Sequence, residues 1–161
     1  MELLPVQVAV IGAADCTAEE YESARSVGRF IAENHATLIC GGLGGVMEAA
    51  CRGARENEGR TVGIVPDISD GNGYLDIVIR TGLGHARNVL VVHSADAVIA
   101  IGGSHGALSE IALALKTRHP VFGLKTWDIP GVKKCVDPKD AVTMAVRAAR
   151  QSLLSRIRQD G

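Results

Sequence analysis

Three times in this chain an apolar run stops at a glycine and gives way to residues spaced for a helix. Val6-Gln-Val-Ala-Val-Ile11 stops at Gly12, Thr37-Leu-Ile-Cys40 at Gly41, and Ala97-Val-Ile-Ala-Ile101 at Gly102. Short apolar runs with little polar alternation fit strands covered on both faces, the environment of a parallel sheet. Parallel neighbours need a crossover, and the helix-spaced residues between the runs supply it. The expected fold class is therefore α/β, a Rossmann-like three-layer sandwich with a doubly wound, mainly parallel sheet. At 161 residues and 47% apolar side chains the chain suffices for one core, so residues 1–161 are read as a single domain.

Local signals fill in the elements. Thr17-Ala-Glu-Glu20 has capping-box spacing, and Tyr21, Ala24, Val27, Gly28 and Ile31 continue a helix to about Asn34. A second helix is expected from Gly45 to about Asn57, then a strand over Thr61–Val65 closed by Pro66. Asp67–Tyr74, rich in Asp, Gly and Asn, reads as a surface loop, and Asp76–Arg80 as a short extra strand. A helix is predicted over His85–Ser94. The helix opened by Gly102–Gly106 is expected to bury a stripe of Leu108, Ile111, Ala112 and Leu115. Pro120–Leu124 is the fifth main strand, and Asp137-Pro138 caps a terminal helix carrying Val142, Ala145, Val146, Ala149 and Leu153.

Charge removes several functions. Seventeen Lys+Arg face 18 Asp+Glu, a net charge of −1, and no dense basic run exists to hold nucleic acid or an anionic membrane. Met1–Ile11 lacks a basic leader and its apolar stretch is too short for a signal peptide or a membrane span, so a cytoplasmic protein is expected. Cys16, Cys40, Cys51 and Cys135 share no ligand spacing and read as reduced, buried thiols; neither a disulfide nor a metal site is expected. His85, His93 and His105 form no helical metal pair, and Ser104 lacks the setting of a hydrolase nucleophile.

The 19 glycines, about 12% of the chain against a usual ~7%, collect where a ligand would sit. In doubly wound sheets ligands bind beyond the carboxyl ends of the strands, where strand order reverses. Gly41, Gly42, Gly44 and Gly45 form one strand-to-helix turn; Gly102, Gly103, Ser104, His105 and Gly106 form another. Free N–H groups, a helix dipole and missing Cβ atoms suit such turns to a phosphate. The first turn lacks the Lys-Ser/Thr of a Walker A loop and departs from GxGxxG spacing. Arg87 opens the preceding helix, where a cation opposes the dipole and is better explained by a ligand or carboxylate partner. Glu110, one turn into the next helix, suits a sugar hydroxyl or a developing positive charge better than a phosphate.

Gly41-Gly-Leu-Gly-Gly-Val-Met47, Ala86-Arg-Asn88 and the run Ser94 to Glu110 resemble the Lonely Guy family of the SLOG superfamily, whose hallmark is an Arg followed by PGGxGTxxE on the next helix. The resemblance spans nearly the whole chain. The Arg-Asn pair and Leu-Ser-Glu-Ile-Ala-Leu-Ala-Leu point to the branch with molybdenum cofactor carrier proteins and uncharacterised bacterial relatives. It implies a nucleotide-binding domain and, in the enzymes, a phosphoribohydrolase that cleaves the N-glycosidic bond of a nucleoside 5′-monophosphate. Arg87 and Glu110 are then catalytic; Gly12, Met47, Asn88 and Ala107 join the two glycine turns in binding substrate or phosphate. The alternative is a non-catalytic carrier or sensor of molybdenum cofactor or a nucleotide. No cofactor is required, and a homodimer or larger homo-oligomer is implied. The family's second Gly falls on Ser104, its Thr on Ala107 and its Pro on Gly102. A lysine decarboxylase, the old label of this family, has no anchor, because every lysine lies at position 116 or later.

Overall fold

The computed structural model describes residues 5–159. Its single seven-stranded sheet runs in the order β4-β3-β2-β1-β5-β6-β7, every pairing parallel. The strands are β1 (Gln7–Gly12), β2 (Thr37–Cys40), β3 (Arg60–Val65), β4 (Ile77–Arg80), β5 (Ala97–Ile101), β6 (Val121–Leu124) and β7 (Val132–Lys134). The helices are α1 (Ala18–Glu33), α2 (Val46–Arg55), α3 (Arg87–His93), α4 (His105–Lys116) and α5 (Pro138–Gln159). From β1 the chain winds outward to β4, returns to lay β5 beside β1, and winds the other way. Strand order therefore reverses between β1 and β5.

Period-two alternation divides the core. Val8, Val10, Leu38, Cys40, Ile99, Ile101 and Phe122 face α1, α2 and α5. Ala9, Ile11, Ile39, Ile64, Val98 and Ala100 face Val91 and Val92 of α3 and Ile111 and Ala114 of α4. β5 is buried along its whole length, as its unbroken apolar run requires. The Thr17 capping box is present, with Thr17 Oγ1 accepting from Glu20 N–H at 3.2 Å and Glu20 Oε2 accepting from Thr17 N–H at 3.0 Å. α5 begins at Pro138, with Asp137 Oδ1 accepting from Asp140 N–H.

Four expectations are corrected. β7 lies in a stretch that carries no strand signal. The helix expected from His85 starts at Arg87, and Gly84–Ala86 form a 3₁₀ turn before it. On α4 the buried face is Ala107, Glu110, Ile111 and Ala114, while Ala112 is exposed and Leu108 and Leu115 are half-buried. The four cysteines are free, but only Cys40 and Cys51 are buried; Cys16 and Cys135 are half-exposed. No helix among the described residues is long and apolar enough to cross a membrane. Residues 1–4 of the expected leaderless N-terminus lie outside the described part.

Candidate functional site

The β1–β5 reversal brings the β2–α2 and β5–α4 turns to one edge of the sheet. The two turns differ in kind. In the first, Gly42 and Gly45 have φ of +75° and +62°. A Cβ on Gly45 would fall 2.2 Å from the Ala13 carbonyl, and one on Gly42 would fall 2.5 Å from Val65 Cγ1. Val46 N–H donates to Ala13 C=O, and Gly42 C=O accepts from Asn72 N–H. Gly12 packs the same way, its missing Cβ leaving room for Val46. Close packing accounts for Gly12, Gly42 and Gly45, and the Glu48 carboxylate lies near Gly44.

The second turn is open. A Cβ on Gly103 would meet nothing within 4 Å, and one on Gly106 only the Ser104 hydroxyl at 3.9 Å. Ser104 is the N-cap of α4, its Oγ accepting from Ala107 N–H at 3.1 Å. Among the described residues no backbone acceptor takes the N–H groups of Gly103, Ser104, His105 or Gly106. Four donors at the positive end of a helix are a cradle for an anion. Ala107 is buried and brings no hydroxyl.

Arg87 stands against the first turn, 5% exposed although charged, and is linked to the second through Asn88 and Ser109. Its Nη2 donates to Gly41 C=O at 3.4 Å, its Nη1 donates to Asn88 Oδ1, and its Nε has no partner among the described residues. A Cβ on Gly41 would lie 2.9 Å from both Arg87 Nη2 and Met47 Sδ, so any side chain there would displace the ends of those two. Asn88 Nδ2 donates to Ser109 Oγ at 3.3 Å, and Ser109 Oγ donates to Gly106 C=O at 3.0 Å, tying α3 to the first turn of α4. Glu110 is 8% exposed. Burial pushes its carboxyl up to about 7 against the opposing pull of the Arg87 guanidinium. A buried cation with a free donor and a buried carboxyl that titrates near neutrality mark this edge as the candidate site.

The structure thus gathers Gly41, Met47, Arg87, Asn88, Gly106 and Glu110, and joins Ser104 to Ala107. Gly102, at φ +73°, turns the other way, toward Glu20, whose Oε1 a Cβ would meet at 2.4 Å. Sequence reasoning missed Asp67, Ser109, Thr126 and Trp127. The Ser69 hydroxyl and N–H hold the Asp67 carboxyl below its ordinary value, with a smaller pull from Arg87. Its signal was its place just after a parallel strand, at Pro66-Asp67. Trp127 stacks on His105 and donates from Nε1 to Ser104 C=O at 3.0 Å; no spacing announces it. A cavity of about 720 Å³ at the opposite edge, lined by Pro5, His35, Glu58 and Asp76, collects none of these groups.

A doubly wound parallel sheet with an open glycine turn, a buried arginine and a buried glutamate at its reversal defines a Rossmann-like protein of the small-ligand-binding kind. The chain belongs to the SLOG cluster4 family, whose model matches residues 5–153. An uncharacterised protein of Archaeoglobus fulgidus is 46% identical over 146 residues, 89% of this chain and 97% of its own. The molybdenum cofactor binding protein of Rippkaea orientalis superposes with TM-score 0.84 at 34% identity, covering 91% of this chain and 98% of that one. The molybdenum cofactor carrier protein of Chlamydomonas reinhardtii gives 0.82 at 33%, covering 90% and 98%.

Proposed function

We propose that the protein binds a small phosphate-bearing ligand at the β1–β5 edge, and that the ligand is a phosphorylated pterin of the molybdenum cofactor type, held as cargo. The observation that carries this is the open Gly103–Gly106 turn, whose four backbone donors have no backbone acceptor among the described residues, tied through Ser109 and Asn88 to the buried Arg87 guanidinium. N–H groups plus a guanidinium suit a phosphate monoester. A carboxyl raised to about 7 is about half protonated at neutral pH, so it places less negative charge near the phosphate than an ordinary glutamate and, when protonated, can donate to a ring nitrogen or carbonyl. Relatives named for molybdenum cofactor binding favour a pterin over a purine. The carrier acts as a homodimer or larger assembly; Ile77, Ile79, Leu83 and Leu90, all exposed near the free β4 edge, suit such a contact.

One observation favours a second reading, nucleoside 5′-monophosphate hydrolysis. Glu110 and Arg87 lie within electrostatic reach of each other, buried, in the family register. There the ionised Glu110 would stabilise positive charge at C1′ and Arg87 would help the base depart, while water takes the C1′ position.

Thermal unfolding with phosphate, GMP, AMP and a phosphorylated pterin tests both. The pterin is expected to raise the midpoint most, in proportion to ln(1 + [L]/Kd). Gly103→Ala should leave the free protein's midpoint unchanged, because its Cβ meets no protein atom, and should abolish the ligand-induced rise. Absence of any rise at millimolar ligand contradicts the proposal. Chromatographic release of free base from GMP or AMP, lost in Glu110→Gln, would replace it with the enzyme.

A further inference from the structure

The segment between β6 and β7 packs against the cradle through two side chains that bracket Gly103. Thr126 Oγ1 donates to Gly102 C=O at 2.7 Å, and Trp127 Nε1 donates to Ser104 C=O at 3.0 Å. Each carbonyl shares a planar trans peptide with the next residue's N–H, and the two bonds of such a unit point in opposite directions. Drawing Gly102 C=O toward Thr126 turns Gly103 N–H away from it. Ser104 C=O accepts both from Trp127 Nε1 and from Leu108 N–H, the first backbone bond of α4 at 3.0 Å, and the two together turn His105 N–H the other way.

The fold makes room for this arrangement. A Cβ on Gly123 in β6 would lie 2.6 Å from Thr126 Cγ2, so only glycine admits the threonine there. Lys125, between them, adopts φ +47°, a conformation unusual for a side-chain-bearing residue. The Trp127 ring lies 6.2 Å from the His105 ring, centroid to centroid and 21° from parallel, bracing the first residue of α4. The buried Arg87, with its unpartnered Nε, independently marks this edge as awaiting an anion.

We infer that Thr126 and Trp127 are positioning residues: they fix the peptide planes of Gly102–Gly103 and Ser104–His105 so that the cradle's N–H groups are aimed at the anion before it arrives. The inference rests on the phosphate-ligand reading above. Fixed donors need not be ordered at binding, so their loosening appears as lost affinity rather than lost fold.

The test follows backbone amides of ¹⁵N-labelled protein as inorganic phosphate is added. In wild type the Gly103, Ser104, His105 and Gly106 amides shift together and saturably. Thr126→Val, which keeps shape while removing one donor, and Trp127→Phe, which keeps an aromatic ring while removing the other, weaken phosphate binding about tenfold apiece. Their thermal midpoints stay within a few degrees of wild type. Thr126→Ser, which restores the hydroxyl, restores affinity. Variants that lose stability but bind phosphate as wild type does would overturn the inference and leave the ligand site standing. Wild type showing no saturable shift at these amides would overturn both, and that failure is visible without any variant.

Discussion

Glu110→Gln is expected to stabilise the protein at pH 8, by on the order of 2–3 kcal/mol, and to change little at pH 4. Burial lifts the Glu110 carboxyl in the folded protein to about 7 from its ordinary 4.5. Between those values the folded state holds a proton that the unfolded state has released. Stability from this group is therefore fully present below about 4.5, falls as pH rises through the window, and is lost above about 7. Glutamine is neutral throughout and removes that slope. Melts of wild type and variant at pH 5 and pH 8 measure it: the variant's advantage at pH 8 is roughly 5–10 °C, shrinking toward pH 5. An advantage independent of pH would mean that Glu110 is not held in a desolvated site. A buried side chain that costs stability where it sits, within electrostatic reach of Arg87, is the kind of group expected at a functional site.

Gly53→Ala carries the largest expected loss of stability. A Cβ on Gly53 of α2 would fall 1.9 Å from the Arg25 carbonyl oxygen of α1, and one on Gly28 of α1 would fall 1.8 Å from the Ala50 carbonyl oxygen. Both obstacles are backbone, so no rotamer relieves them and the two helices must separate. α1 and α2 cover Val8, Val10, Leu38 and Cys40, so separation opens the core between them. The cost is on the order of 3 kcal/mol, a fall of about 10 °C in the melting midpoint. Gly73→Ala, whose Cβ would meet nothing within 4 Å, serves as the neutral control in urea and thermal unfolding. Equal stability of the two variants would contradict the helix contact.

The same physics decides what the sequence discloses. Strands covered on both faces leave unbroken apolar runs, so β1, β2 and β5 and the helices between them were readable. β7 was not, because Val132-Lys-Lys134 at the sheet edge buries too little to leave a pattern. On α4 the apolar stripe misled: the buried face includes the carboxylate of Glu110, and a periodicity that scores only apolar side chains turns the helix away from it. Arg87 was legible as a cation at the wrong end of a helix. Trp127, Thr126 and Asp67 reach the site only through the sheet's long-range order. Even the glycines divided on three-dimensional grounds, since Gly45 and Gly103 look alike in sequence while one is wedged against Ala13 and the other faces open space.

Whether the β1–β5 edge holds a phosphate-bearing small molecule through the Gly103–Gly106 turn and Arg87 is decided by native mass spectrometry of wild type and Arg87→Met, each mixed with a phosphorylated pterin and with GMP. One ligand mass per 16.9 kDa chain is expected on wild type, the pterin preferred, and bare chain for the variant under the same conditions. Equal ligand occupancy of the two proteins, or bare wild-type chain with every phosphate ligand supplied, would contradict it.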